Sequence, residues 1–157
     1  GSDTPTGSTG STGSRGTGDP PTSATAWPHR ERVRVRYAEV DAQQVVFNAH
    51  YLTWCDVASA SWAESAAGWT GVGDPVDWMV VRAVIEWQSS AAYGDTVDID
   101  CGVSRWGNRS FDATYRGTVD GRPVFDATIT YVTIDPGTKT SVPVPDSLRS
   151  GLGDVPA

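Results

Sequence analysis

The fold is decided between residues 31 and 68, which read ERVRVRYAEVDAQQVVFNAHYLTWCDVASASWAESAAG. Its opening residues alternate in character, with Val33, Val35 and Tyr37 separated by arginines. A period of two is typical of a β-strand that buries one face. The sequence therefore predicts a strand at the start of the domain whose apolar side, Tyr37 included, faces the core.

The period changes from two to between three and four over residues 48–67. The residues that recur at this longer spacing are Tyr51, Trp54, Cys55, Ala58 and Trp62. Frequent alanines favour helix in the same segment, and Gly68 is a suitable stop. Because only Asp56 and Glu64 carry charge there, we predict one long and largely buried helix.

Strand patterns dominate the rest of the chain. Four segments show them, namely DWMVVRAVIEWQ, TVDIDCGVSRW, SFDATYRGTV and RPVFDATITYVTI, and Asp120-Gly121 between the last two is a strong hairpin signal. This order predicts an α+β fold, a curved antiparallel sheet of about five strands wrapped around one long central helix. Tryptophan and tyrosine on several strands suggest that the outer face of the sheet pairs with another subunit.

The first 26 residues differ in composition from the rest. They consist mainly of Gly, Ser, Thr and Pro and contain no large apolar side chain. Such a segment cannot bury enough surface to offset the entropy lost on ordering. We therefore predict a disordered tail over residues 1–26 and a domain over residues 27–157.

Charge and composition exclude several classes of protein. Nineteen acidic against twelve basic residues give a net charge of −7, which argues against nucleic-acid binding. No stretch approaches the roughly 20 apolar residues that span a bilayer, and no signal peptide opens the sequence, so we expect no membrane contact and a cytoplasmic location. Two distant cysteines exclude a disulfide scaffold, and two histidines argue against a zinc cluster. We expect no metal and no organic cofactor.

A polar junction, residues 36–51, joins the first strand to the helix. Asp41 lies within it, and Asn48 stands at the predicted helix start. Such residues commonly cap a helix or form a turn, and they complement the helix dipole. They also suit a site where backbone N–H groups polarise a carbonyl beside a carboxylate. Residue types alone leave both interpretations open.

The junction resembles the opening motif of the 4-hydroxybenzoyl-CoA thioesterase family, whose members have the hot-dog fold. The matching residues are Glu39-Val40-Asp41, Val45-Val46, Asn48-Ala49-His50-Tyr51, Trp54 and Asp56-Val57-Ala58. Later segments match in the same order, namely AAYGDTVDIDCGV, WGNRSFDATY and DGRPVFDATITYVTIDPGTKTSVPVPDSLR. The resemblance covers residues 31–150.

The resemblance implies hydrolysis of an acyl-CoA thioester or, less often, of an acyl carrier protein thioester. It implies that Asp41 acts as nucleophile or as general base toward water, and that the backbone N–H of Asn48 polarises the thioester carbonyl. The substrate-binding residues that it implies are Gln44, Val45, Phe47, Tyr51, Trp54, Arg109 and Ser110. It also implies a homo-oligomer, a dimer or a dimer of dimers, with the site at the subunit interface.

Several of these residues have competing structural roles. The aromatic helix residues also suit core packing, Ser110 suits a turn, and Arg109 suits a solvated position. For His50 a structural or interfacial role is the expectation. A carboxylate on a buried helix needs a cation, so we expect Asp56 to pair with Arg82 or with an arginine of the first strand.

Two positions depart from the family pattern. Gln44 stands where glycine is usual, and glutamine accepts a positive φ poorly, which predicts a different loop there. Asn48 stands where many relatives have an aromatic residue or histidine. Gln44 keeps open a third possibility, a non-catalytic protein that binds acyl thioesters, whereas the presence of Asp41 favours an enzyme.

Overall fold

A computed structural model describes residues 26–157. Its elements are β1 (His29–Arg34), a 3-10 turn (Tyr37–Glu39), α1 (Asn48–Ala67), β2 (Asp77–Trp87), β3 (Thr96–Trp106), β4 (Ser110–Val119), β5 (Arg122–Ile134) and α2 (Asp146–Gly151). In this part of the chain neither α-helix is long and apolar enough to cross a membrane. The predicted tail lies outside the described residues except for Ala26, so the tail and its boundary stay predictions.

The five strands form one antiparallel sheet in the order β1-β3-β4-β5-β2. The sheet is curved and carries α1 on its inner face, which confirms the predicted α+β architecture. The β4–β5 hairpin turns at Asp120 and Gly121, whose φ angles of 50° and 82° are both positive. A type I′ turn requires positive φ at both central residues, so the hairpin also follows the prediction.

The inner side of α1 fills the core. The helix residues buried there are Tyr51, Trp54, Cys55, Ala58, Ser59, Trp62 and Ala63. They meet aromatic residues of the sheet, since Tyr51 contacts Phe125 and Trp62 contacts Tyr115 edge-to-face. The helix ends as predicted at Gly68, which has a left-handed φ of 69° and donates its N–H to the Glu64 carbonyl at 3.1 Å.

The outer side of α1 is more exposed than the sequence predicts. Thr53, Asp56, Val57 and Ala60 are all exposed there. The expected ion pair of Asp56 is absent from the described residues, because Arg82 lies on the outer face of β2 and the β1 arginines Arg30 and Arg32 pair with β3 aspartates. One chain therefore covers only one side of this helix.

The first strand ends earlier than its sequence pattern predicts. β1 stops at Arg34, and the chain then turns away after Val35, whose N–H still bonds to the Asp95 carbonyl at 2.9 Å. The carboxylate of Glu39 accepts the Arg36 N–H at 2.8 Å and closes the 3-10 turn. The prediction that Tyr37 faces the core is wrong, because the turn leaves this side chain 80% exposed.

The outer face of the sheet is polar and ion-paired. Cross-strand pairs cover it, namely Arg30–Asp100, Arg32–Asp98, Arg105–Asp112 and Arg116–Asp126. The tyrosines that suggested an aromatic interface on this face point into the core instead, where the hydroxyls of Tyr115 and Tyr131 lie 2.7 Å apart. These two tyrosines therefore do not support an outer-face subunit contact, and the contact itself stays a prediction.

Candidate active site

A small hairpin, residues 39–47, leads from the 3-10 turn into α1. Phe47 donates its N–H to the Glu39 carbonyl at 3.0 Å, and Asp41 donates its N–H to the Val45 carbonyl at 3.0 Å. The Gln44 N–H closes the tip on the Asp41 carbonyl at 2.8 Å. The hairpin therefore fixes Asp41 at the start of a tight turn, directly before the chain enters the helix at residue 48.

The Asp41 carboxylate is half-buried at the hairpin tip. One oxygen, Oδ1, accepts the backbone N–H of Gln43 at 2.8 Å. Among the described residues no group donates a hydrogen bond to the other oxygen, and no cation pairs with the carboxylate. Half of this carboxylate is thus oriented by the backbone, and the other half is available for chemistry.

Gln44 adopts a backbone conformation that favours glycine. Its φ is 67°, in the left-handed region. The turn therefore has a positive φ despite the glutamine, at a cost of about 1–2 kcal/mol for a residue with a Cβ. That the loop differs from the loop of relatives stays a prediction. The Gln44 side chain is exposed and lies beside Asp41 in the same cavity.

That cavity has a volume of about 490 Å³, within the range of small-molecule sites. Its lining residues are Tyr37, Val40, Asp41, Gln44, Ala92 and Tyr93. The rings of Tyr37 and Tyr93 meet edge-to-face with centroids 5.7 Å apart, and Tyr93 is 59% exposed. Two exposed tyrosines thus form one wall of the cavity that contains Asp41.

Sequence reasoning missed this wall. Tyr37 follows the alternation of the first strand, and this pattern predicts a position in the core. Tyr93 lies in the connection between β2 and β3 and carried weight only as part of the matched AAYGD segment. Neither position has a local signal for a cavity, because the wall forms only when the turn after β1 meets the β2–β3 connection.

Glu39 supports the hairpin from below. Its carboxylate is buried, 2% exposed, and accepts hydrogen bonds from the Arg36 guanidinium at 2.9 Å and the Trp54 indole N–H at 2.8 Å. Burial by itself would raise the pKa of Glu39, but the bonds from Arg36 and Trp54 outweigh it and lower the pKa to about 2. Glu39 is therefore an ionised anchor that joins the turn to α1.

The helix residues implied to bind substrate lie behind the cavity. Tyr51 and Trp54 are buried in the core, and the Tyr51 hydroxyl accepts the N–H of Ala91 at 3.0 Å, beside the cavity wall. Val45 is half-buried and Phe47 exposed, and neither lines the cavity. All four residues hold the cavity wall or the hairpin in place. Tyr51 and Trp54 also pack the core.

Asn48 and His50 lie in the first turn of α1, where Asn48 is exposed and His50 is half-buried. The first N–H groups of a helix have no partners within the helix and carry the positive end of its dipole. The hairpin places this turn directly after the strand pair that contains Asp41. His50 lies against Phe47, with ring centroids 6.2 Å apart, which suits the structural role expected for it.

Arg109 and Ser110 lie at the opposite end of the sheet. They follow the far end of β3, whose eleven residues separate them from the cavity by roughly 30 Å. Arg109 donates to the Ser141 carbonyl at 2.8 Å, and the Ser110 hydroxyl accepts from Arg105 at 3.2 Å. Within one chain these two residues therefore do not join Asp41.

Residues 26–157 contain no group of three or more His, Cys, Asp or Glu side chains arranged to hold a metal ion. The cavity in this part of the chain presents one open carboxylate and an aromatic wall, and the hairpin that carries the carboxylate leads directly into the N-terminus of α1. Such an arrangement can attack or hydrate an electrophilic carbonyl and stabilise the resulting oxyanion.

The fold and this arrangement define a hot-dog protein, and comparisons identify its family. The model of the thioesterase-like superfamily matches residues 35–152. The chain belongs to this superfamily. No curated protein gives a significant match.

Solved structures share the fold at low identity. The PA5185 protein from Pseudomonas aeruginosa is 20% identical over 80% of this chain and 90% of its own, with a TM-score of 0.75. Slr0204, a 1,4-dihydroxy-2-naphthoyl-CoA thioesterase from Synechocystis, is 21% identical over 78% and 93%, with a TM-score of 0.68. BH1999, a gentisyl-coenzyme A thioesterase, is 20% identical over 77% and 99%, with a TM-score of 0.71.

Proposed function

We propose that this protein hydrolyses acyl-CoA thioesters and that Asp41 is its catalytic carboxylate. The observation that carries the proposal is the position of Asp41, half-buried in the wall of the 490 Å³ cavity with one carboxylate oxygen unbonded. Membership in the thioesterase-like superfamily supports the reaction class. A CoA ester as substrate also implies a cytoplasmic location, and we propose that the protein works there as a homo-oligomer.

Asp41 can promote hydrolysis in two ways. As a nucleophile, one carboxylate oxygen bonds to the thioester carbon, the C–S bond breaks and CoA leaves as thiolate; water then opens the mixed anhydride and restores the carboxylate. As a general base, Asp41 takes a proton from water while the water oxygen bonds to the same carbon and the C–S bond breaks. A thiolate leaves readily because thiols ionise near pH 8.5, so no strong acid is needed.

In both mechanisms, the first turn of α1 stabilises the negative charge that develops on the thioester oxygen. As the thioester carbonyl accepts the attacking oxygen, its own oxygen becomes an anion. We assign the backbone N–H of Asn48 to this oxyanion, because it belongs to the unpaired N–H groups at the start of the helix. The Asn48 side chain is not needed for this role.

The aromatic wall favours a flat acyl group. Tyr37 and Tyr93 offer exposed ring surface beside Asp41, and aromatic rings pair favourably in stacked and edge-to-face arrangements. Slr0204 and BH1999, which share the fold, are thioesterases of aromatic CoA esters. We therefore propose aryl-CoA esters ahead of long aliphatic ones, with Gln44 contacting the acyl group or the water.

Thiol release from a panel of aryl- and alkyl-CoA esters tests the proposal. We expect turnover by the wild type and loss of at least about 100-fold in kcat for Asp41→Asn. Asp120→Asn is the matched control, because it makes the same chemical change at an exposed turn position that suits asparagine.

Two results would overturn this proposal. Asp41→Asn with near-wild-type turnover would remove Asp41 from the chemistry. A folded wild type that is inactive on every CoA ester would exclude acyl-CoA hydrolysis, and acyl carrier protein thioesters would then separate a carrier-protein hydrolase from a non-catalytic binding protein.

A further inference from the structure

The connection between β2 and β3, residues 88–95, carries one half of the cavity wall. Ala92 and Tyr93 line the cavity from this connection, whereas Tyr37 reaches it from the turn after β1. The Tyr93 ring is mostly exposed and meets the Tyr37 ring edge-to-face. Because little packing surrounds the ring, its place in the cavity depends on how the backbone of the connection is held.

A tight turn presents the Tyr93 ring to the cavity. The Asp95 N–H donates to the Ala92 carbonyl at 3.0 Å, and the Asp95 carboxylate accepts the Ala92 N–H at 2.8 Å. Gly94 is the third residue of this turn and has a φ of 90°, a value typical of glycine in a type II turn. The Asp95 carboxylate therefore fixes the turn on which Tyr93 stands.

Arg122, the first residue of β5, reaches both ends of the connection. Its guanidinium donates to the Ser89 hydroxyl at 2.6 Å and to the Ser90 carbonyl at 3.1 Å. Its other terminal nitrogen lies 3.9 Å from the Asp95 carboxylate. The Ser89 hydroxyl in turn donates to the Pro123 carbonyl at 2.6 Å. One side chain thus ties the beginning and the end of the connection to the start of β5.

The guanidinium of Arg122 acts from outside the cavity. Arg122 is not one of the residues that line the cavity, and its side chain is exposed to solvent. An exposed ion pair contributes little by itself, because solvent and salt screen it. The guanidinium contributes geometry instead, since a planar group with donors on several nitrogens holds its contacts in one fixed arrangement.

We propose that Arg122 is a positioning residue for the acyl group. By holding the two ends of the connection together, it sets the place of the Tyr93 ring and thereby the preference for flat acyl groups. The effect on the acyl group rests on the proposed function, whereas the effect on the connection does not. Because the contacts of Arg122 end at the connection, substrate binding should change more than attack on the thioester carbon.

Arg122→Lys tests the positioning role. Lysine keeps the charge but has a single nitrogen, which cannot serve both ends of the connection. We expect KM for an aryl-CoA ester to rise by about fivefold, while its kcat and the KM for an alkyl-CoA ester stay within about twofold. Arg32→Lys is the matched control and should change neither constant, because Arg32 is also an exposed arginine but pairs with Asp98 of β3, at 2.7 Å.

The same substitution in a Tyr93→Ala background tests whether the effect passes through the ring. If Arg122 acts by placing Tyr93, Arg122→Lys should change KM by less than about twofold once the ring is gone. An equal effect in both backgrounds would overturn the positioning role. So would an unchanged KM in the single variant, or equal rises in KM for aryl and alkyl esters.

Hydrogen exchange tests the hold on the connection without turnover. The N–H groups of Ala92 and Asp95 are bonded within the turn, so they exchange when the turn opens. We expect both to exchange about tenfold faster in Arg122→Lys. The Val103 N–H, bonded to the Gly153 carbonyl at 2.9 Å in the middle of the fold, should be unchanged and thus exclude global destabilisation.

The exchange result separates two kinds of failure. Unchanged exchange at Ala92 and Asp95, or an equal increase at Val103, would overturn the hold of Arg122 on the connection. Faster exchange confined to the turn, in a protein inactive on every CoA ester, would overturn the proposed function and with it the effect on the acyl group. The hold on the connection would then stand.

Discussion

Glu39 and Asp41 stand two residues apart on the same hairpin, yet their carboxylates lie in opposite environments. Glu39 is buried and accepts bonds from a guanidinium, a backbone N–H and an indole N–H. Asp41 is half-buried at a cavity wall and accepts one backbone N–H. Residues two apart on a strand share a face, but Glu39 ends a 3-10 turn, and its side chain folds back toward Arg36.

This difference separates an anchor from a reactive group. A carboxylate whose acceptor sites are filled by fixed donors is stable as an anion and has little left to offer a substrate. A carboxylate that is oriented through one oxygen keeps the other free to attack carbon or to accept a proton. Glu39, at the start of the hairpin, thus provides stability, and Asp41, at its tip, provides the chemistry that we propose.

Asp41→Asn should lower activity and leave stability nearly unchanged. The asparagine Oδ1 can still accept the Gln43 N–H, so we expect the free energy of unfolding to change by less than about 0.5 kcal/mol. Turnover of acyl-CoA should fall by at least about 100-fold because the free carboxylate oxygen is lost. Urea unfolding and steady-state kinetics on the same preparation measure the two effects. A large loss of stability would show that Asp41 is also an anchor.

Glu39→Gln should act mainly on stability. It removes a charged acceptor from Arg36 and Trp54, and charge-assisted hydrogen bonds contribute about 1.5–3 kcal/mol. We expect a loss of about 2 kcal/mol in the free energy of unfolding. A double-mutant cycle with Trp54→Phe isolates the bond between these two side chains. If the two substitutions add without coupling, the 2.8 Å contact contributes nothing to stability.

The ionised Glu39 carboxylate should also make the stability of the protein depend on acid. The pKa of Glu39 is lowered to about 2 in the folded protein, below its usual value near 4.3 in an unfolded chain. Its stabilising contribution is therefore complete above pH 4.3 and is lost as the pH falls toward 2. The difference in unfolding free energy between wild type and Glu39→Gln should shrink across this interval. A difference that is constant with pH would contradict the role of the ionised form.

The sequence predicted the framework better than the site. Periodicity gave α1 and its end at Gly68, and the Asp-Gly turn gave the last hairpin, because both signals are local. It failed at Tyr37, since strand alternation does not reveal that Glu39 will cap a turn and end the strand early. It also failed for Asp56, because a helix composition that indicates burial does not say whether the same chain provides the cover.

The smallest effects are expected for Gln44. Substitutions there test whether the strained backbone at the hairpin tip serves the reaction or is only a cost to stability. Glycine relieves the left-handed strain at φ 67° but adds entropy to the unfolded chain. We therefore expect Gln44→Gly to raise the free energy of unfolding by less than about 1 kcal/mol. Gln44→Val should lower it by about 1 kcal/mol or more, since β-branched residues suit this region worst.

The activity of the Gln44→Gly variant then decides the role of the side chain. If the amide only occupies a position where glycine is usual, kcat and KM on acyl-CoA esters should stay within about threefold of the wild type. If it holds the substrate or the attacking water, kcat should fall by about tenfold or more although the fold is more stable. Gain of stability with loss of turnover would mean that the strained backbone is retained at the tip because the side chain it presents beside Asp41 takes part in the reaction.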